Sequence, residues 1–246
     1  MDLPSERAPV PRADSGAHRT IRAPVPPRTL PAEPVSVVLY EDPLSPWCLV
    51  AERRVRVALD ELQAAFAPLR IEPFPLRAEP YALTPGERRS FVRAARKAAR
   101  EPEAAGTTPD LWLLRDPPHS TLPALAAVVA ARLQGAARES ALRDALREAA
   151  LVRGLDATRR DVLLELASAA GLDVARFEAA LSAPSTERRV LASFDEALAK
   201  GIEAVPALVV GDEWLVAGPR SVEEYSKVLR RYAAARLGIH RVRVVH

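Results

Sequence analysis

The chain has few of the residues that commonly carry redox or metal chemistry. Among its 246 residues there are one cysteine, Cys48, and four histidines. A single cysteine excludes a disulfide within the chain, a cysteine-rich zinc site and the disulfide framework of small secreted domains. We find no zinc-ligand spacing, phosphate-binding loop or paired-carboxylate motif, so the sequence predicts no metal site.

No hydrophobic run is long enough to cross a membrane. The longest, Leu122–Ala131, is about half of the length that a transmembrane helix needs. The first residues, Met1 to Arg7, have no apolar core, which argues against a secretory signal. We therefore expect a cytoplasmic protein without a membrane partner.

The excess of positive charge is small. The chain has 35 basic and 32 acidic residues, a formal net charge of +3, and 48% of its residues are hydrophobic. These proportions are those of an ordinary globular protein. Without a dense cationic surface or a known binding module, we do not expect nucleic acid as a partner.

Proline marks the predicted organisation of the chain. Eight of the 23 prolines fall in the first 34 residues, which show no periodic apolar face and are predicted to be disordered. One domain follows, in which two parts containing strands flank a helical insertion, and a basic tail ends the chain. The predicted bounds are 1–34 for the leader, 35–237 for the domain (parts 35–83 and 184–237, insertion 84–183) and 238–246 for the tail.

The first part of the domain is predicted to form a strand–helix–strand unit. The β-branched run Val35–Tyr40 predicts a buried strand, and Arg70–Leu76 predicts a second one. Between them, Ser45 is placed to cap a helix that has Pro46 at its first position. The predicted apolar stripe of that helix comprises Val55, Leu59, Leu62 and Phe66.

Helical patterns fill the insertion, and strands return after it. Thr84 begins a capping-box pattern that predicts a helix to Arg100. Near the C-terminus, Ala204–Val210 and Trp214–Ala217 are predicted to form an antiparallel hairpin, followed by a helix. The fold class predicted from this order is α/β, with one small mixed sheet. Further helices are predicted at residues 121–133, 140–152, 160–170 and 174–181, and another ends at Gly201.

The junction of the first strand and the first helix carries the most informative motif. Residues Asp42–Cys48 read Asp-Pro-Leu-Ser-Pro-Trp-Cys. This motif resembles the Asp-Pro-x-Cys-Pro-Trp-Cys sequence of FrnE-type members of the DsbA-like thioredoxin superfamily. Gly201–Val210 is similar to the segment around that family's cis-proline, and residues 146–154 and 163–173 are similar to its helical insertion. The resemblance implies a thioredoxin fold (β-α-β … β-β-α) with an all-helical insertion.

The motif departs from the family at its first cysteine, which is Ser45 here. A serine hydroxyl is a far weaker nucleophile than a thiolate unless a neighbouring base takes its proton. Because Cys48 has no partner cysteine in the chain, the family's dithiol cycle is excluded. Serine also stands at this corner in kappa-class glutathione transferases and 2-hydroxychromene-2-carboxylate isomerases, where the hydroxyl donates a hydrogen bond to the thiolate of glutathione.

Three interpretations therefore remain open. Ser45 orients an external thiol, with glutathione as the implied cofactor; or Cys48 acts as a monothiol; or the fold is a redox-inactive binding module. In the first two, Ser45 and Cys48 are the catalytic candidates, and the partner is a small thiol or a thiol-bearing peptide. The predicted thiol-binding residues are Pro46, Trp47, Val205 and Pro206, with the Val205–Pro206 bond expected to be cis. Each residue also has a structural alternative, since Ser45 is a good helix cap and cysteine is often a small buried hydrophobe.

Overall fold

The structure is a computed structural model that describes residues 34–62 and 65–236. The part of the chain it describes contains a four-stranded sheet in the order β2-β1-β3-β4. Strand β1 runs parallel to β2 and antiparallel to β3, which pairs with β4 in a hairpin. Most of the predicted leader and all of the predicted basic tail lie outside the described residues. The strands are β1 Val37–Glu41, β2 Arg70–Pro73, β3 Ala207–Val210 and β4 Trp214–Ala217.

Helices cover both faces of the sheet. The α/β class predicted from the sequence is confirmed, with the predicted order of strands and helices. A short 3-10 turn at Pro102–Ala104 and a π-helical turn at Glu148–Val152 interrupt the insertion. The helices are α1 Pro46–Asp60, α2 Pro85–Ala98, α3 Asp110–Leu113, α4 Leu122–Arg132, α5 Ala136–Arg147, α6 Arg160–Ala169, α7 Val174–Ser182, α8 Pro184–Ala199 and α9 Val222–Arg236.

Alternating side chains of the central strands supply two cores. On one face, Leu39 and Leu208 are buried with Val55 of α1 and Leu229 of α9. On the other face, side chains such as Val38 pack in a second cluster with residues of α8 and the segment that follows it. This alternation follows from the two-residue period of a strand. A third, larger core lies inside the helical insertion. Within the described residues, no helix combines the length and apolar character needed to span a membrane.

Helix α1 begins as predicted but ends earlier. Its apolar stripe was predicted to reach Phe66, which is wrong, because α1 ends at Asp60. The chain then turns back, and Phe66 forms a parallel bridge with Val35. The backbone of Val35 makes two hydrogen bonds there, to the carbonyl of Ala65 (3.0 Å) and from the N–H of Ala67 (2.8 Å). Phe66 therefore enters the sheet core from an extended segment rather than from a helix.

The hairpin begins later than predicted. Strand β3 starts at Ala207 rather than Ala204, because Pro206 has no N–H to contribute to a ladder. Its turn has Gly211 at φ 60° and Asp212 at φ 61°, the left-handed pair of a type I′ turn. A Cβ on Gly211 would lie 1.8 Å from the hydroxyl oxygen of Tyr232 in α9. Glycine is thus required both by the turn and by the close approach of the last helix.

Candidate functional site

The turn before α1 presents Ser45 at the N-terminus of the helix. Ser45 has an extended backbone, and its Oγ accepts a hydrogen bond from the Cys48 N–H at 3.3 Å. Pro46 occupies the first helical position, where a missing N–H leaves no bond unmade. Ser45 is 6% exposed. Its hydroxyl therefore lies beside the first turn of α1, where the helix dipole favours a negative charge.

Asp42 fixes the shape of this turn. Its carboxylate accepts hydrogen bonds from the N–H groups of Leu44 (2.8 Å) and Leu76 (2.9 Å), and its carbonyl accepts one from the Ser45 N–H at 3.0 Å. Burial raises the pKa of Asp42 to about 6, although hydrogen bonds from Leu76, Thr121 and Leu44 oppose the shift. Asp42 thus holds the Ser45 turn against the segment that follows β2.

Cys48 lies one turn inside the helix and is fully buried. Burial raises the pKa of its thiol far above the usual value, and the charge of Glu41 adds to the shift, whereas the Ser45 hydroxyl opposes it. Since the thiolate is the reactive form of cysteine, the thiol of this structure is protected from an external disulfide by both burial and protonation.

Trp47 is the more accessible residue of the Pro-Trp pair. Its side chain is partly exposed, whereas Pro46 is buried. The Lys97 Nζ atom of α2 lies 5.8 Å from the centroid of the Trp47 ring, within reach of a cation–π interaction. The corner is therefore bordered by an aromatic ring and a positive charge from the insertion.

The second predicted segment lies at the same end of the sheet. Tyr40 pairs with Ala207 across β1 and β3, so the Ser45 turn leaves β1 where Pro206 enters β3. The Val205–Pro206 peptide bond is cis. The Pro206 carbonyl accepts a hydrogen bond from the Gly218 N–H at 2.8 Å. The fold thus brings together two segments that are far apart in the sequence.

A small cleft lies beside Pro206 at this end of the sheet. It has a volume of about 240 Å³ and is lined by Val205, Pro206 and the facing hairpin residues Leu215 and Gly218, among others. Ser45 and Cys48 do not line this cleft. Behind it, the Tyr225 hydroxyl of α9 donates to the Gly218 carbonyl at 3.3 Å. The two predicted halves of the site are therefore neighbours in the sheet but do not share one enclosed pocket.

The sequence analysis missed a buried ionic cluster behind Cys48. Glu41 at the end of β1, Glu52 of α1 and Arg143 and Arg147 of α5 are each at most 6% exposed; we call these four residues the buried quartet. Arg147 lies 2.6 Å from Glu41 Oε2 and 2.5 Å from Glu52 Oε2. Arg143 contacts the same two carboxylates at 3.6 and 3.7 Å. The quartet joins the helical insertion to the two elements that carry the candidate site.

The two carboxylates of the quartet titrate in opposite directions. Burial raises the pKa of Glu41 to about 7 in spite of the opposing charges of Arg147 and Arg143. Burial also disfavours ionisation of Glu52, but the charges of Arg147 and Arg143 outweigh it and lower the pKa to about 2. Glu52 is also one helical turn beyond Cys48, on the same face of α1. The thiol therefore faces a charged interior rather than an apolar one.

Other candidates stand apart from this corner. His119 is 47% exposed and bonds to Asp116 at 2.9 Å, so it is a solvated residue that contacts a neighbour in its own loop. Across 34–62 and 65–236, no group of three or more histidine, cysteine, aspartate or glutamate side chains is placed to hold a metal ion. The chemistry that this arrangement offers is thus that of a hydroxyl at a helix N-terminus, at the same end of the sheet as the cis peptide bond before β3.

Comparison with known proteins agrees with this geometry. The model of the DSBA-like thioredoxin domain matches residues 36–230. The chain therefore belongs to the family of DSBA-like thioredoxin domains, as the motif at Asp42–Cys48 suggested. No curated protein matches the chain.

Solved structures share the fold at low sequence identity. A "putative protein disulfide isomerase" from Nitrosomonas europaea has a TM-score of 0.68 at 23% identity, over 82% of this chain and 99% of that one. The cytosolic disulfide reductase DsbM from Pseudomonas aeruginosa, solved with GSH, has a TM-score of 0.58 at 18% identity, over 80% and 98%. A 2-hydroxychromene-2-carboxylate isomerase has a TM-score of 0.55 at 14% identity, over 83% and 99%. At these identities, the likeness establishes the thioredoxin fold with its helical insertion.

Proposed function

We propose that this protein binds an external thiol, glutathione in the first instance, at the Ser45 corner and uses it in thiol chemistry. The single observation that carries the proposal is the position of the Ser45 hydroxyl at the N-terminus of α1, beside the first turn of the helix. A thiolate placed there gains a hydrogen bond from the hydroxyl and a favourable interaction with the helix dipole. Ser45 then has the role that a cysteine has elsewhere in the family, with the sulfur supplied by the ligand.

The burial of Cys48 supports this assignment over the monothiol alternative. A monothiol mechanism requires the Cys48 sulfur to attack an external disulfide, but the side chain has no exposed surface. The pKa of the thiol is also raised by burial, which leaves it protonated at neutral pH. We therefore assign Cys48 a packing role in the resting protein and Ser45 the contact with the sulfur.

The Pro206 side of the corner is assigned to the backbone of the ligand. The Val205 side chain is partly exposed, and the cleft beside it is open to solvent. An extended peptide can pair with exposed backbone at such an edge, with its side chains in the adjoining cleft. The partner is thus a small thiol or a thiol-bearing peptide. A cytoplasmic location is part of the proposal, supported by the resemblance in fold to the cytosolic DsbM bound to GSH.

Calorimetric titration with reduced glutathione tests the proposal. Ser45→Ala removes the hydroxyl, so we expect its dissociation constant to rise roughly ten- to hundredfold, the usual range for a hydrogen bond to a charged group. Asp173→Ala is the matched control, because it removes a helix-capping acceptor from α7, remote in sequence from the corner. The proposal is contradicted if the wild type and Ser45→Ala bind glutathione equally well, or if neither binds it at millimolar concentration. Either result would favour the redox-inactive binding module.

A further inference from the structure

Helix α2 carries a positive face that the proposed function does not yet use. Arg89, Arg93 and Lys97 are exposed and follow one another at intervals of four residues; we call these three residues the α2 basic face. Side chains at this spacing share one side of a helix, where like charges repel. Within the described residues, no carboxylate lies within 4.0 Å of any of the three. Ion pairs with the carboxylates that the structure describes therefore do not relieve this repulsion.

An open groove lies along this helix. It has a volume of about 750 Å³ and runs between α2 and the segment after β2 that contains Leu76 and Tyr81. Arg89 and Arg93 line it, together with the ring of Phe91. A groove of this size, with aromatic walls and convergent charges, has the dimensions of a ligand site.

Two other charged residues of the groove already have partners. The Arg77 guanidinium donates to the backbone carbonyls of His119 and Tyr81. The Glu87 carboxylate accepts hydrogen bonds from the N–H and hydroxyl of Thr84 and from the Tyr81 hydroxyl, at 2.7–3.0 Å. These neutral partners leave both charges in place, so Arg77 and Glu87 offset each other and the net positive charge of the groove is that of Arg89 and Arg93.

The groove leads to the candidate site. Lys97 is the last residue of the α2 basic face, and its ammonium group lies over the ring of Trp47, two residues after Ser45. At the other wall, the Leu76 N–H is bonded to Asp42 in the Ser45 turn. A ligand that continues from the groove along α2 to Lys97 would therefore reach Trp47, two residues after Ser45.

We propose that the α2 basic face binds an acidic stretch of a polypeptide whose cysteine lies at the Ser45 corner. This inference rests on the proposed function and narrows its substrate class. Arg89 and Lys97 are eight residues apart, about 12 Å along the helix, which an extended chain covers with about four residues. Glutathione has a single residue on either side of its cysteine and therefore cannot reach from Ser45 to Arg89. The positive charge along the groove selects glutamate and aspartate in the occupant.

Binding of two synthetic peptides tests the proposal. Both contain one cysteine followed by a short segment that has about four glutamates in one peptide and glutamines in the other. We expect the wild type to bind the glutamate peptide about tenfold more tightly at low salt, since each exposed charge pair contributes modestly. The preference should weaken as salt screens it. Arg89→Glu with Arg93→Glu should abolish or reverse the preference.

The control has the same change in net charge at a different place. Arg176→Glu with Arg188→Glu alters two exposed arginines of α7 and α8, helices that pack against α4. This variant should keep the preference. Equal binding of the two peptides by the wild type would overturn the proposal, as would loss of the preference in the control. Duplex DNA is the competing ligand. If DNA binds more tightly than the glutamate peptide, and Arg89→Glu with Arg93→Glu abolishes that binding, the proposal is overturned and the α2 basic face binds phosphates instead.

A peptide with serine in place of cysteine separates this inference from the proposed function. If the α2 basic face acts as proposed, the preference for glutamate persists in the serine peptide, whatever happens at Ser45. If the cysteine peptide binds more tightly than the serine peptide and Ser45→Ala removes only that difference, the thiol site is supported independently. A thiol effect without a glutamate preference would overturn the inference and leave the proposed function intact.

Discussion

Replacing Arg147 with alanine is expected to lower the free energy of unfolding by about 3–5 kcal/mol. Arg147 is the cation closest to Glu41, at 2.6 Å, and it lies 2.5 Å from Glu52, the same distance as Arg56. The variant removes the shortest ion pair of the buried Glu41 and leaves Glu52 with Arg56 and the longer contact to Arg143. Denaturant titration followed by circular dichroism measures the loss. It should become smaller as the pH falls below about 7, where Glu41 is protonated, while Glu52 stays charged down to about pH 2.

Two further variants identify the cause of this loss. Arg147→Met fills similar space without charge, so it should destabilise the protein nearly as much if the unpaired carboxylates are responsible. Arg160→Ala removes an exposed arginine that is paired with Glu178 at 3.0 Å, and should cost no more than about 1 kcal/mol. If Arg147→Ala costs no more than Arg160→Ala, the quartet does not join the insertion to the rest of the fold.

Cys48 is expected to react with an alkylating reagent roughly a thousandfold or more slowly in the folded protein than in denaturant. Its side chain has no exposed surface, and burial raises the pKa of the thiol. Modification then requires opening of the fold, which is rare for a domain of ordinary stability. The rate is measured by mass spectrometry after timed alkylation in buffer and in denaturant.

A relocated thiol provides the comparison. Ser45→Cys with Cys48→Ala keeps one cysteine but moves it to the helix cap, where the N–H groups of the first turn favour the thiolate. We expect this variant to be alkylated faster than the wild type under native conditions. Rapid alkylation of Cys48 in the folded wild type would contradict the account and restore the monothiol mechanism.

The start of α1 shows how much local sequence could predict. Ser45 and Pro46 are residues that favour a helix cap and a first helical position, and the structure has them there. The end of the same helix was not predictable from its apolar spacing. Phe66 continues the periodic pattern, but its surroundings are set by backbone bonds with Val35, a residue thirty-one positions away. Periodicity does not report such pairing.

The buried quartet was missed because charged residues usually face solvent. Arg143 and Arg147 follow Leu142 and Leu146 directly, so they border the apolar stripe of α5. That spacing, together with a glutamate at the end of a buried strand, was the available signal. The spacing of the α2 basic face was visible in the sequence, but its place beside Trp47 depends on tertiary packing. Local patterns thus predicted the Ser45 turn, whereas its surroundings required the structure.

The ionisation of bound glutathione tests the central claim most directly. In a Cys48→Ala background, glutathione provides the sole thiol, and the ultraviolet absorbance of its thiolate can be followed across pH. If Ser45 and the N-terminus of α1 stabilise the thiolate, the pKa of the bound thiol falls at least about one unit below its usual value near 8.5, and Ser45→Ala moves it back towards that value. A bound thiol that titrates as free glutathione does would contradict the account.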